Sequence, residues 1–166
     1  MYYYLSYFFA FSIIGYIYEN VIHLILQGNL TNNPFIGPYM PVYGFGIVIM
    51  LLIENFAFKK FKMPRWGKIL LTLLLNFFIL TILELIGGHI VEHFFHKSFW
   101  DYSGFRFNYG KYIAVEVSLG WAIASYIFLF IAKKYLDKLI AKVPRSLTNI
   151  FIAIFLLDFI YSFFFK

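Results

Sequence analysis

Cysteine is absent from the 166 residues, which excludes disulfide cross-links, thiolate nucleophiles and thiolate metal sites. Charge is scarce as well: 13% of the residues are Asp, Glu, Lys or Arg, about half the share in a soluble globular chain. No GxxxxGK[ST] phosphate loop occurs, so ATP hydrolysis would require another polypeptide. The opening MYYYLSYFFAFSIIGYIYEN has neither a basic n-region nor a small-residue cleavage site, and it reads as a retained span rather than a signal peptide. What remains is apolar: 62% hydrophobic and 24% aromatic residues, including 23 Phe and 14 Tyr. A single water-soluble core is excluded, and lipid becomes the expected solvent.

Five apolar stretches, near residues 3–27, 41–58, 69–95, 112–132 and 147–165, are each about long enough to cross the hydrocarbon layer as a helix. ILLTLLLNFFILTILELIGG is apolar all round rather than alternating, which argues against a barrel. The expected fold is all-α, a polytopic bundle of five transmembrane helices forming one domain over 1–166. The net charge of +6 does not point to nucleic acid, because the basic residues fall in the breaks between spans. Lys59, Lys60, Lys62, Arg65 and Lys68 separate the second span from the third; Lys133, Lys134, Lys138, Lys142 and Arg145 separate the fourth from the fifth. Both breaks belong in the cytoplasm, which predicts the N-terminus inside and the C-terminus outside. In the second break Leu136, Leu139, Ile140 and Val143 alternate with lysines at helical spacing. It reads as a basic amphipathic helix, either an interfacial continuation of the fourth span on anionic lipid or a docking element for a partner.

Ionisable residues inside spans are costly and carry most of the information. They are Glu19 and His23 on the first stretch, Glu54 on the second, Glu84 on the third, Glu116 at the start of the fourth and Asp158 on the fifth. Glu54 can snorkel to the basic break. His89, Glu92, His93 and His96 fall at i, i+3, i+4 and i+7, one helix face. On the predicted topology this face, Glu19, His23, Glu116 and Asp158 share the outward half of the membrane, with Glu84 near the middle of its span, and one polar cavity open to the outside would collect them. HIVEH also fits the HxxEH zinc-enzyme pattern, which leaves the identity of any metal unknown; the plainer reading has these groups meeting interfacial water and one another.

Two outer connections should cover that cavity. NNPFIGPYMPVYGFG carries Pro34, Pro38 and Pro41 with Gly37, Gly44 and Gly46, too many breakers for a continuous helix, so a cap or shallow re-entrant loop is expected. SFWDYSGFRFNYGKY offers Trp100, Asp101, Tyr102, Ser103, Arg106, Asn108 and Lys111, with Asp101 expected to pair with Arg106 or Lys111. Gly120 and Ala124, and Ser118 and Ala122, have small-xxx-small spacing, which predicts close helix packing with Glu116 turned toward protein; Gly87 and Gly88 thin the third span.

At GPYMPVYGFG and WDYS the chain resembles the bacterial membrane family called putative ABC-transporter type IV, or ABC transporter permease. The resemblance includes Gly15 and Glu19; Gly37, Pro38, Tyr39, Pro41, Tyr43, Gly44 and Gly46; Glu84 and Glu92; Trp100, Asp101, Tyr102 and Ser103; and Asn108, Gly110 and Trp121. It implies a small multi-pass protein of the bacterial cytoplasmic membrane that serves as a transporter component, and it supplies no substrate or catalytic residue. The expected function is a non-enzymatic subunit without cofactor that binds a polar or cationic solute, or relays protons, through an outward acidic cavity. Its expected ligand-binding residues are Glu19, His23, Tyr39, Tyr43, Glu84, Glu92, Trp100, Asp101, Asn108 and Glu116. The partners expected are the lipid bilayer and either a homo-oligomer or a separate nucleotide-binding subunit. An assembly or regulatory scaffold without transport, and an HxxEH metal-dependent intramembrane enzyme, are the rival readings.

Overall fold

The computed structural model describes residues 1–30, 33, 35–96, 98 and 100–164, with the backbone alone at 26, 27, 95 and 163. Pro34 and residue 165 of the last apolar stretch lie outside the described residues. Six α-helices follow one another: α1 (Tyr2–Gln27), α2 (Pro41–Lys60), α3 (Arg65–Phe95), α4 (Val115–Tyr126), α5 (Lys133–Ile140) and α6 (Arg145–Phe164). A π-helical turn, Ile127–Ala132, makes α4 continuous with α5. Five segments are long and apolar enough to span a membrane: Tyr2–Ile25, Pro41–Lys60, Arg65–Phe94, Val115–Ile140 and Arg145–Ser162. Large apolar side chains such as Ile25, Ile123 and Leu157 stand exposed on them, as lipid-facing residues do.

Local chemistry sets the boundaries. Gly28, at φ 71°, closes α1 in the left-handed conformation and its N–H reaches Leu24 O at 3.2 Å, the position glycine takes without steric cost. Pro41 opens α2, where its missing N–H has no helical partner to lose. The fourth span begins at Val115 rather than 112, because Ile113–Ala114 (β2) pairs antiparallel with Asn108–Tyr109 (β1). Gly110, at φ 66°, lets the chain reverse between those strands. The same span runs past residue 132, so the basic stretch is indeed a helical continuation of the fourth span.

The chain divides into two compact units, Met1–Val48 with Tyr135–Lys166, and Ile49–Lys134. In the first unit α1 and α6 run parallel: Ser6 meets Thr148 through their hydroxyls at 3.1 Å, and three residues further on each helix Phe9 stacks on Phe151 at 5.6 Å. The start of α2 lies against the middle of α1. A Cβ on Gly44 would fall 2.6 Å from the Phe8 carbonyl oxygen and closer still to Ser12 Oγ, and one on Gly15 would run into the Tyr43 ring. Met40 N–H donates to Ser12 O at 2.8 Å, a point about 22 Å back from Gln27 at roughly 1.5 Å per residue. By Met40 the chain has therefore returned alongside the middle of α1 before α2 begins. Asp137 of α5 accepts from Tyr3 at 2.8 Å and Tyr7 at 2.9 Å.

In the second unit the buried row of α3 is Thr72, Asn76, Leu80, Glu84 and Gly88, one residue in four. Four residues advance about 400°, so the row winds slowly round the helix, like the ridges by which helices pack. Thr81 bonds Ser118 of α4 through their hydroxyls at 2.6 Å. Glu54 pairs with Lys133 at 3.3 Å, meeting a basic residue of the second break rather than the first. Gly120 and Ala124, by contrast, are exposed, and nothing lies within 4 Å of where a Gly120 Cβ would stand. Of the two small-residue pairs, Gly120 and Ala124 are unpacked among the described residues, whereas Ser118 is buried against α3.

Candidate functional site

In the first unit, Asp158 sits on α6 opposite the connection that precedes α2 and is surrounded by donors. Ile36 N–H reaches it at 3.1 Å, Gly37 N–H at 2.7 Å and Ser162 Oγ at 2.8 Å, and the Tyr39 hydroxyl donates to the same oxygen as Gly37. Burial, followed by the bond to Asp158, pushes the Tyr39 hydroxyl well above the ordinary tyrosine range. Gly37 has no side chain because the Tyr39 ring occupies that space. Glu19 is bonded by the Tyr43 hydroxyl, and His23 lies half-buried one turn beyond it. Tyr39 and Tyr43 thus spend their hydroxyls on acids of their own unit, stitching the connection and α2 to α6 and α1.

In the second unit the acids lie along α3 and the start of α4, beneath the hairpin segment 100–114. Tyr102 donates to Glu84 Oε1 at 2.8 Å. The Trp121 indole interacts with the same carboxylate, yet its geometry falls short of a hydrogen bond, and both Glu84 Oε2 and Trp121 Nε1 are buried without one. Glu84 is only 7% exposed and no cation faces it among the described residues. The Tyr112 ring fills the notch at Gly88, and the Trp100 ring lies 3.7 Å from where a Gly87 Cβ would be. These two glycines admit aromatic rings of the connection rather than a neighbouring helix. Tyr112 and Trp100 meet edge to face at 6.1 Å.

One turn above, Glu92 pairs with Lys111 at 2.7 Å. That bond raises the lysine above its ordinary value, and burial raises the Tyr112 phenol beside it. Glu116 accepts Phe107 N–H at 3.1 Å through one oxygen, while the other is buried and unpartnered; it also lies in the first turn of α4, where a carboxylate suits the helix dipole. Asp101 does not form the expected pair with Arg106 or Lys111. It accepts Ser103 N–H at 2.9 Å, and the Ser103 contacts hold it below the usual carboxylate range. Asn108 bridges the carbonyls of Ser103 and Gly110 at 3.1 and 3.4 Å, holding the hairpin turn.

The histidine face does not assemble a centre. His89 and His93 are exposed; His89 meets Tyr112 edge to face at 5.1 Å. His96 terminates α3 in the left-handed conformation at φ 52°, uncommon for a side chain with a Cβ. Among the described residues no group of three His, Asp or Glu is placed to hold a metal ion. One residue escaped the sequence reading. Asn76 is fully buried on the α3 row, two turns before Glu84, and neither its amide nitrogen nor its oxygen has a partner. Its signal was the four-residue spacing of Thr72, Asn76 and Glu84 in an otherwise greasy helix.

Five spans long and apolar enough to cross a membrane, with acids carried on them, define a polytopic membrane protein. The family model described as "Putative ABC-transporter type IV" matches residues 6–166, and the chain belongs to that family. It is accordingly a transporter-related, multi-pass membrane protein. Neither a curated protein nor a solved structure matches the chain.

Proposed function

We propose that the chain is a non-enzymatic transporter subunit that takes up a cationic or polar solute, or a proton, at Glu84 in its second unit. One observation carries the reading: a carboxylate within an apolar span is 93% buried by its 7% exposure, has one oxygen unpartnered, and meets no basic side chain among the described residues. A charge stranded at membrane depth costs several kcal/mol unless something compensates it, and a transported cation or proton is such a compensation. Glu92 and Lys111 form the mouth, and segment 100–114 the cover. The positive-inside pattern of the two basic breaks supports an outward-facing mouth in the bacterial cytoplasmic membrane. The lack of a phosphate-loop motif supports a separate nucleotide-binding partner, or a homo-oligomer driven by a gradient. Glu19, Tyr39 and Tyr43 then serve the packing of the first unit, and Asp101 and Asn108 shape the hairpin segment of the second.

The test is a flux measurement in proteoliposomes under imposed proton or sodium gradients. Wild-type protein should discharge a gradient at least about tenfold faster than Glu84→Gln, the factor for about 1.4 kcal/mol of barrier. Equal rates from two folded proteins would remove Glu84 from the pathway. The scaffold reading gains weight from Asp158, an acid satisfied wholly by neutral donors, and equal rates would favour it.

A further inference from the structure

We propose that a groove between α2 and α3 holds one acyl chain of an anionic phospholipid, with the headgroup phosphate bound by Lys60. The inference goes beyond the Glu84 reading and does not depend on it. Ile49, Leu52, Ile53 and Phe56 fall at i, i+3, i+4 and i+7 on α2, and with Leu75 and Ile79 of α3 they line a groove of about 280 Å³. Seven residues of helix make it about 10 Å long, most of the depth of one leaflet in a hydrocarbon core about 30 Å thick. At the end of α2 the Lys60 ammonium lies over the Phe56 ring, 5.0 Å from its centroid, and Phe61 meets the same ring edge to face at 5.7 Å. A cation thus stands where an apolar trough runs out, which matches the order of parts in a phospholipid. The surrounding break adds charge: Lys59, Lys62 and Arg65 are exposed, and no carboxylate among the described residues pairs with them or with Lys60. Trp66, in the first turn of α3, is 70% exposed, and tryptophan favours headgroup depth.

Other occupants fit less well. All six lining side chains are hydrocarbon, so a polar solute would lose its hydrogen bonds to water and gain none. A helix from a second copy packs closely in a membrane where small residues let the backbones approach, and the lining contains no Gly, Ala, Ser or Thr. An acyl chain needs neither donors nor a flat small face. Bulk lipid would fill the trough without regard to its headgroup; the unneutralised lysines at its end favour a headgroup with net negative charge. That break is also the one the positive-inside pattern assigns to the cytoplasm, which places the lipid in the inner leaflet.

Native mass spectrometry of the full chain in detergent, titrated with phosphatidylglycerol or with phosphatidylcholine carrying the same two acyl chains, reads the first binding step. Phosphatidylglycerol should bind at least about fivefold more tightly, the factor that one lysine near an anionic surface supplies. Lys60→Gln should remove most of that preference. Arg106→Gln, which deletes one charge at the hairpin instead, should leave it intact. Leu75→Trp fills the groove and should weaken the binding of both lipids. Where that variant does not fold, unmodified protein decides: lysophosphatidylglycerol, with one chain, should compete for the site, and glycerol phosphate, with none, should not. Equal affinity for the two lipids, or equal losses in Lys60→Gln and Arg106→Gln, would overturn the inference. So would competition by glycerol phosphate as strong as by the lysolipid, which would leave a phosphate site without a groove. A dimer that carries no lipid and dissociates in Leu75→Trp would give the groove to a second copy and overturn it too.

Discussion

The two units treat their intramembrane acids differently. In the first, Asp158 receives four neutral donors and Glu19 a tyrosine hydroxyl, so each carboxylate ties one chain segment to another. In the second, Glu84 and Glu116 each keep an unpartnered oxygen, and Asn76, Trp100, Tyr112 and Trp121 keep unpartnered polar atoms as well. All such atoms among the described residues belong to this unit. Native interiors satisfy nearly every buried polar group, so the second unit is the less completely paired of the two among the described residues. A carboxylate in a membrane is thus no functional signal by itself; what satisfies it differs from one unit to the other.

The largest expected effect tests that distinction directly. Asp158→Ala removes the acceptor of two backbone N–H groups and two hydroxyls, all part-buried but the exposed Ile36 N–H, and should cost roughly 2 to 6 kcal/mol, at about 0.5 to 1.5 net per hydrogen bond. Glu84→Gln, which disturbs one made bond, should stay within about 1 kcal/mol of wild type on the same scale. Thermal unfolding in a mild detergent would measure both, and similar losses would erase the contrast between the units.

A second comparison concerns the glycines. Gly44→Ala drives a Cβ into the backbone carbonyl of Phe8, whereas Gly88→Ala meets the buried Tyr112 ring, a side chain carried by a connection rather than by a helix. Overpacking against backbone should cost about 3 kcal/mol and against the ring about 1. If Gly88→Ala proved the more damaging, the hairpin segment would be a rigid part of the second unit rather than its adjustable cover. Asn76→Val sharpens the comparison in the other direction. Because both amide atoms are buried and unpartnered, removing them should raise stability by about 1 kcal/mol. A fall in the melting midpoint would show that Asn76 has a partner, such as an ordered water, and that the second unit is less open than drawn.

The spans were legible because lipid imposes a coarse rule: about 20 apolar residues and few charges. The break between the first two spans was legible too, since the proline and glycine density there forbids a continuous helix. The staples were not, because Tyr39 with Asp158 and Tyr43 with Glu19 join residues far apart in sequence, and hydropathy treats every acid alike. The small-xxx-small spacing at Gly120 misled for the same reason: spacing defines a face, not what covers it. His96 misled differently, through a backbone conformation rather than a side chain, and removed itself from a face that periodicity had assigned to it. Asn76 could have been found, but only by looking for four-residue spacing inside a helix that is apolar on average.

The smallest effect belongs to the hairpin, where the second unit meets water. Lys111 and Glu92 are about one third and nearly one half exposed (33% and 45%), so their bond is screened and its loss should be the mildest of these changes. Its pH dependence is still diagnostic. The folded-state value of Lys111 lies above the ordinary one, so the lysine's contribution is complete below about pH 10 and disappears as pH rises through the raised value. Asp101 is shifted the other way, below its ordinary value; its contribution is complete above about pH 4 and disappears as pH falls through the lowered value. The melting-point gap between wild type and Lys111→Gln should therefore persist at neutral pH and close in strong alkali. The gap to Asp101→Asn should persist at neutral pH and close in acid. If the Lys111→Gln gap instead survived into strong alkali, the lysine's contribution would not lie in its charge, and the mouth of the second unit would be held by packing of the Tyr112 ring.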